Sequence, residues 1–172
     1  MTRTILISGV NGWTGCYLTP RVLRDDDTRV VGIDLQPELS SLLRPLADRI
    51  RYYQCNLTGA VDAIARMLQA ENIESVNHLA GITNSVDWET LLRINVGGTA
   101  NLLSALALHR TVQSEDPTIL IVSSSAAYGA APMEGEPVTE DCPLRPVSPY
   151  GVSKAAQELT ALQFYFAEQM KI

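Results

Sequence analysis

A tyrosine and a lysine stand four residues apart in "SPYGVSKAAQEL" (148–159), just after a serine and a proline suited to open a helix. On a helix, Tyr150 and Lys154 share one face. A free phenol, with a pKa near ~10, is a poor base at neutral pH, but a neighbouring ammonium favours the phenolate. Such a pair could move a proton to or from an alcohol. Upstream, "VSSSAAYG" (122–129) supplies Ser123, Ser124 and Ser125, hydroxyls able to hold and orient a reacting oxygen. Near the N-terminus, "ISGVNGWTG" spaces Gly9, Gly12 and Gly15 at three-residue intervals. Glycines so placed let backbone N–H groups approach a pyrophosphate at a helix N-terminus. Asp34 follows Gly15 by 19 residues, about the spacing at which an acid accepts hydrogen bonds from an adenine-ribose diol. Each signal has a bland counterpart: a ligand-free turn, a solvated helix face, serines satisfying a strand end. Their co-occurrence gives them weight.

These residues need elements to hold them. Short β-branched runs at 4–8, 30–34, 50–54, 75–79 and 119–123 read as strands. Helical patterns cover 13–24, a short piece of 38–46, 61–70, 88–109 and 149–169. A loop rich in proline and acid spans 130–147. Strands alternating with helices imply right-handed crossovers and a parallel sheet covered on both faces, a Rossmann-like α/β fold. The serines then lie at the C-terminal end of the fifth strand, where ligands bind in open α/β sheets. Pro20 lies inside the first helix and should kink it. In the last helix, Ser148 suits the N-cap and Pro149 the first helical position. Val152, Ala155, Ala156, Leu159 and Phe166 follow the helical period and are expected to face the sheet, with Phe164 and Tyr165 off that stripe. A sixth strand is expected after residue 172, since strand five otherwise keeps an open edge; the chain reads as one domain, 1–172, cut before it.

Composition narrows the function classes. Of 172 residues, 46% are apolar and 19% charged, a globular balance, and the net charge of -6 comes with no basic cluster, which argues against nucleic-acid binding. Cys16, Cys55 and Cys142 form no CxxC pair, so zinc and dithiol chemistry find no support and reduced thiols in a cytoplasm are expected. No run approaches the roughly 20 apolar residues of a membrane helix. His78 reads as a packed, hydrogen-bonded strand-end side chain. His109 is given no catalytic role, and Glu140 and Asp141 read as solvated.

In the order of its motifs, "GVNGWTG", "GID", "CNLT", "HLAG", "INVGGTANLL", "SSSAAYG" and "PYGVSK", the whole chain resembles the extended short-chain dehydrogenases/reductases, the NAD-dependent sugar-nucleotide epimerase and dehydratase group. The resemblance implies Tyr150 as acid/base, Lys154 as its pKa-lowering partner and Ser124 as the catalytic hydroxyl, with Ser123 and Ser125 as flanking alternatives. It implies a cofactor site made of Gly9, Asn11, Gly12, Trp13, Thr14, Gly15, Asp34, Leu35, Asn56, Leu57, Leu79, Ala80, Gly81 and Asn95, with Tyr150 and Lys154, and substrate contacts at Thr83, Ser124 and Ser125. Asn56 stands for the group's usual aspartate and keeps a hydrogen bond without the charge. Asp34 repels a 2′-phosphate, and Leu35 follows where an NADP site often places an arginine, so NAD is expected over NADP; Arg44 would upset this if its loop folded back. The 4,6-dehydratases carry an Asp-Glu pair where Ser125 and Ala126 stand, so dehydration is not expected. The stretch 137–159 looks most like 4-epimerases and 4-keto-6-deoxyhexose reductases, acting on a nucleotide sugar. A homodimer through helices 88–109 and 149–169 is expected from their second apolar sides. The alternatives are a non-catalytic NAD-binding or sensor protein, and a fragment that binds cofactor without turnover.

Overall fold

The computed structural model describes residues 3–84, 87–110, 116–129 and 137–172. The first part of the acidic loop (130–136) and the side chain of His109 lie outside the described residues. Five strands, β1 (Arg3–Ser8), β2 (Thr28–Asp34), β3 (Ile50–Gln54), β4 (Ser75–His78) and β5 (Thr118–Ile121), form one sheet in the order β3-β2-β1-β4-β5. Every neighbouring pair is parallel, as the alternating pattern requires. Because side chains alternate along a strand, Leu6, Val31, Ile33, Val76 and Ile119 enter one apolar core, while Ile5, Ile7, Val30 and Ile50 enter a second on the other face. The first is covered by α2 (Val61–Leu68), α4 (Gly98–Arg110) and α5 (Pro149–Glu168). The chain leaves β1 toward β2 on one side and joins β4 on the other, so a crevice opens at the C-terminal ends of β1 and β4.

The elements match the expected order, and several boundaries move. The helix α1 (Trp13–Val22) ends two residues beyond Pro20. The short helix of 38–46 is instead a 3-10 segment, Arg44–Arg49. The helix of 88–109 comprises α3 (Trp88–Leu91), a π-helical segment Leu92–Gly97, and α4. Its first 21 residues, Trp88–Leu108, are long and apolar enough by composition to cross a membrane, which corrects the expectation that no segment comes near. Here Leu91, Leu102, Leu103 and Leu106 of that run are buried in the fold.

The facing of α5 also needs correction. Its inward stripe is Gly151, Ser153, Lys154, Ala155, Gln157 and Ala161. Leu159 and Phe166, expected against the sheet, are 61% and 74% exposed. Three polar side chains occupy core positions, so apolar periodicity alone gives the wrong phase. Helix α5 starts as expected, with Ser148 Oγ accepting from Gly151 N at 3.0 Å and Pro149 in the first turn. It ends on Gln169 in a left-handed conformation (φ 53°). The chain then returns to β5, where Ile119 N donates to Lys171 O at 2.7 Å and Met170 is buried. Thus part of the β5 edge that was expected to stay open is met by residues 170–172.

Candidate functional site

The turn after β1 follows from its glycines. Gly9 has φ +70°, and a Cβ there would sit 2.9 Å from Ala80 Cα and N. Only glycine lets β1 turn this close to the end of β4. A Cβ on Gly15 would collide with the carbonyls of Gly9 and Val10, so this glycine lets α1 pack against the turn. No side chain caps α1 at Gly12, and no acid stands in its first turn, which leaves its first N–H groups without a side-chain acceptor. That is a ready anion site.

Beside the turn lies a cleft of about 520 Å3. Ten of the expected cofactor residues line it: Gly9, Asn11, Gly12, Asp34, Leu35, Asn56, Leu57, Leu79, Ala80 and Gly81. Asp34, at the end of β2, accepts from Asn11 N at 3.0 Å and Gln36 N at 3.3 Å. A carboxylate has about four acceptor positions, so roughly two remain for a ligand. Asn56 Oδ1 accepts from the amide and hydroxyl of Thr58, which orients its amide at the cleft rim. Arg44 is paired at 3.0 Å with Glu38 on the surface and is not among the residues lining the cleft. Cys16, Cys55 and Cys142 are free thiols, and burial pushes the Cys55 thiol pKa up.

Six expected cofactor residues do not line the cleft. Trp13 and Thr14 are exposed on α1, where Trp13 stacks obliquely on Tyr17 with ring centroids 4.7 Å apart. Gly15 is buried behind the turn. Asn95 is fully buried in the π-helical segment. Its Oδ1 accepts from Ile82 N (2.8 Å), and its Nδ2 donates to Ile82 O and Ser153 Oγ (both 3.0 Å). It therefore ties the cleft wall at Gly81–Ile82 to α5. Tyr150 and Lys154 belong to α5 and are not among the residues lining the cleft. Sequence reasoning missed Ile33, Gln36, Cys55, Thr58, Ile82, Arg93 and Ile94, which also line the cleft. Arg93 and Ile94 stand in the π-helical segment just before Asn95, and no spacing in the sequence marks that segment.

The proton-transfer candidates cluster about the start of α5. Ser124 caps a 3-10 turn, Ser125–Ala127, its Oγ accepting from Ala126 N at 3.2 Å. This turn packs on α5 at Gly151, where a Cβ would collide with Ala126 O. Ser123 instead donates to Glu158 Oε1, and Ser125 is exposed. Thr83 is exposed and donates to Asn84 Oδ1 at 2.8 Å. Below Tyr150, Ser153 Oγ donates to Tyr150 O at 2.7 Å while accepting from Asn95.

Lys154 is 6% exposed, and its ammonium donates to Val122 O (2.6 Å) and to Gln157 Oε1. Burial holds its pKa below the usual lysine value, and the Glu158 carboxylate opposes that fall. Gln157 Nε2 donates to Thr99 Oγ1 at 2.8 Å, and Thr99 donates to Asn95 O at 2.7 Å. Thr99's one proton is thereby used, so His78 Nε2, 2.8 Å away, must donate to it. His78 Nδ1 then accepts from Ser8 Oγ at 2.6 Å, and Ser8 accepts from Ala80 N at 3.2 Å. The imidazole is thus neutral, its pKa pushed down to about 3 by burial and, secondarily, by the Lys154 charge. His78 is the packed, hydrogen-bonded side chain the sequence suggests.

A family model for GDP-mannose 4,6 dehydratase matches residues 6–172. The UDP-glucose 4-epimerase 2 of Oryza sativa is 30% identical over 91% of this chain and 39% of its own length. The dTDP-glucose 4,6-dehydratase of Mycolicibacterium smegmatis is 31% identical over 90% of this chain and 46% of its own. Among solved structures, MoeE5 in complex with UDP-glucose and NAD superposes with a TM-score of 0.77 at 28% identity, covering 98% of this chain and 51% of that one. The chain thus spans about half the length, or less, of these relatives.

Proposed function

This chain belongs to the extended short-chain dehydrogenases/reductases, in their sugar-nucleotide epimerase and dehydratase group, and on that premise we propose that it binds NAD in the Gly9–Asp34 cleft and serves hydride transfer on a nucleotide sugar. The observation that carries this reading is the joining of two sites. A phosphate-accepting turn with an acid at the end of β2 is linked, through Asn95 and Ser153, to the helix that bears Tyr150 and Lys154.

The residues present fit the dinucleotide. Gly9, whose Cβ would strike the Ala80 backbone, lets the turn sit tight against the end of β4, and the uncapped N-terminus of α1 presents amides to the pyrophosphate. Asp34 takes the adenine-ribose hydroxyls, with Asn56 and Leu57 beside the adenine and Leu79, Ala80 and Gly81 along the opposite wall. The carboxylate of Asp34, with the Arg44 charge engaged by Glu38, supports NAD over NADP. The relative MoeE5 is itself in complex with NAD. When bound, NAD supplies a hydride acceptor and donor.

The chain's own side chains handle the proton. Lys154 favours the Tyr150 phenolate, which takes the proton of a sugar hydroxyl as the carbon is oxidised and returns it on reduction. Ser124 donates a hydrogen bond to the same oxygen and steadies it through both steps. Thr83 and Ser125, both exposed, are the side chains assigned to the sugar on this reading. Ser125 and Ala126 offer no carboxylate for eliminating water, so epimerisation or reduction at the sugar fits better than 4,6-dehydration, although dehydratases are among the relatives. Residues 1–172 form the cofactor-binding domain on this reading. Two copies pair through helices 88–109 and 149–169, whose Leu92, Leu108, Leu159, Leu162 and Phe166 are exposed.

The test is turnover of UDP-, GDP- and dTDP-sugars by the full-length protein, before and after Tyr150→Phe. Loss of roughly 100-fold or more in kcat is expected, the scale of acid–base catalysis. Unchanged activity in Tyr150→Phe overturns the assignment.

A further inference from the structure

The Lys154 ammonium is buried, and the Glu158 carboxylate acts on it only from beyond ion-pair distance. Among the described residues it makes no ion pair within 4 Å. Both acceptors found for it are neutral: the Val122 carbonyl and the Gln157 amide oxygen. Glu158, one residue further along α5, has its Oε1 engaged by the Ser123 hydroxyl.

The Gln157 side chain cannot rotate freely between its two ends. Thr99 has spent its proton on Asn95 O, so toward Gln157 it can only accept. The amide nitrogen must then face Thr99, and the oxygen must face Lys154. His78 and Ser8 extend the same chain into the sheet. Gln157 itself is 1% exposed. Its polar groups are therefore satisfied within the fold, and its orientation is set by residues from β1, β4, α4 and α5 together.

We propose that Gln157 is a positioning residue for Lys154, a neutral anchor that fixes the ammonium one helical turn from Tyr150 while leaving its charge uncancelled. A carboxylate in the same place would hold the lysine equally well and remove the field that favours the phenolate. An apolar side chain would leave the field but release the lysine and make its burial harder to bear. The inference rests on the reading of Tyr150 and Lys154 given above. The charged and titratable groups around the ammonium are Glu158 and Tyr150 on α5 and the neutral His78 on β4.

Two substitutions in the full-length protein separate the anchor from mere packing. In Gln157→Met, of similar volume, the Lys154 pKa falls by about one unit in cofactor-free protein, read by NMR titration of its side-chain amine. In Gln157→Glu it rises by about one unit or more. Although the lysine shifts are opposite, the ascending limb of the pH–rate profile moves to higher pH in both, because the phenolate loses its support either way. A structural role would lower thermal stability in both variants without that pattern. An unchanged Lys154 pKa in whichever variant folds, or a pH–rate limb that stays in place, overturns the inference. Retained turnover in Tyr150→Phe would instead overturn the reading beneath it, and the Lys154 titrations would still report on the anchor.

Discussion

The buried imidazole of His78 makes the stability of this fold depend on pH. In the unfolded chain it titrates at 6.5, and in the folded protein at about 3. Between these values the unfolded state holds a proton that the folded state refuses. Stability therefore rises with pH across this window; the His78 contribution is complete above 6.5 and is lost as pH falls toward 3. At pH 5 the difference is close to one proton, so the slope from this residue alone is about 1.4 kcal/mol per pH unit. Over two units, from pH 6 to pH 4, that amounts to roughly 3 kcal/mol, a large share of the ~5–15 kcal/mol that holds a typical domain together. Carboxylates add their own slope below about pH 5, so the useful quantity is a difference between two proteins. In His78→Asn the amide oxygen can still accept from Ser8, but nothing titrates. The variant is less stable at pH 7, because Thr99 loses a partner. Its stability, read by urea unfolding at pH 7, 6, 5 and 4, should decline more slowly on acidification, by about 1 kcal/mol per unit between pH 6 and 4. Parallel declines in the two proteins would refute both the neutral-histidine assignment and the hydrogen-bond chain built on it.

Two further outcomes concern the turn and the helix that frame the site. Gly9→Ala places a Cβ 2.9 Å from the Ala80 backbone at φ +70°, so a loss of at least ~2 kcal/mol is expected in chemical denaturation, with weakened NAD binding. Ser148→Ala removes the hydrogen bond to Gly151 N that caps α5; a loss of about 1 kcal/mol is expected, seen as a fall in Tm of roughly 2–4 °C.

Much of the site's frame is legible in the sequence because local rules and tertiary needs agree there. The run of β1, the glycines of the turn and the acid closing β2 each follow from spacing that the fold enforces. The start of α5 follows from Ser148 and Pro149, and the structure keeps both in those roles. Legibility fails where polar side chains occupy core positions. Ser153, Lys154 and Gln157 make the inward face of α5, so reading the helix by its apolar residues turns it the wrong way and sends Leu159 and Phe166 inward. The partners that make those positions tolerable, Asn95, Thr99 and His78, come from elements 58 to 79 residues away in the chain, and no local pattern announces them. Asn95 shows the consequence: expected at the cofactor, it lies behind the cleft wall as a clamp between that wall and α5. Arg93 escaped notice because a π-helical segment places it on the cleft, a register that helical periodicity does not contain. The return of residues 170–172 to β5 likewise depends on a left-handed turn at Gln169, which is no glycine.

The most direct measurement is calorimetric titration of NAD into the full-length protein and its Asp34→Ala variant, with a thermal melt to confirm that each is folded. A carboxylate hydrogen-bonded to the adenine ribose is worth about 1.5–3 kcal/mol, so Kd should rise roughly 10- to 150-fold in the variant, with the wild type binding NADP more weakly than NAD. Equal NAD affinity in wild type and Asp34→Ala, both folded, would contradict the placement of the dinucleotide in this cleft.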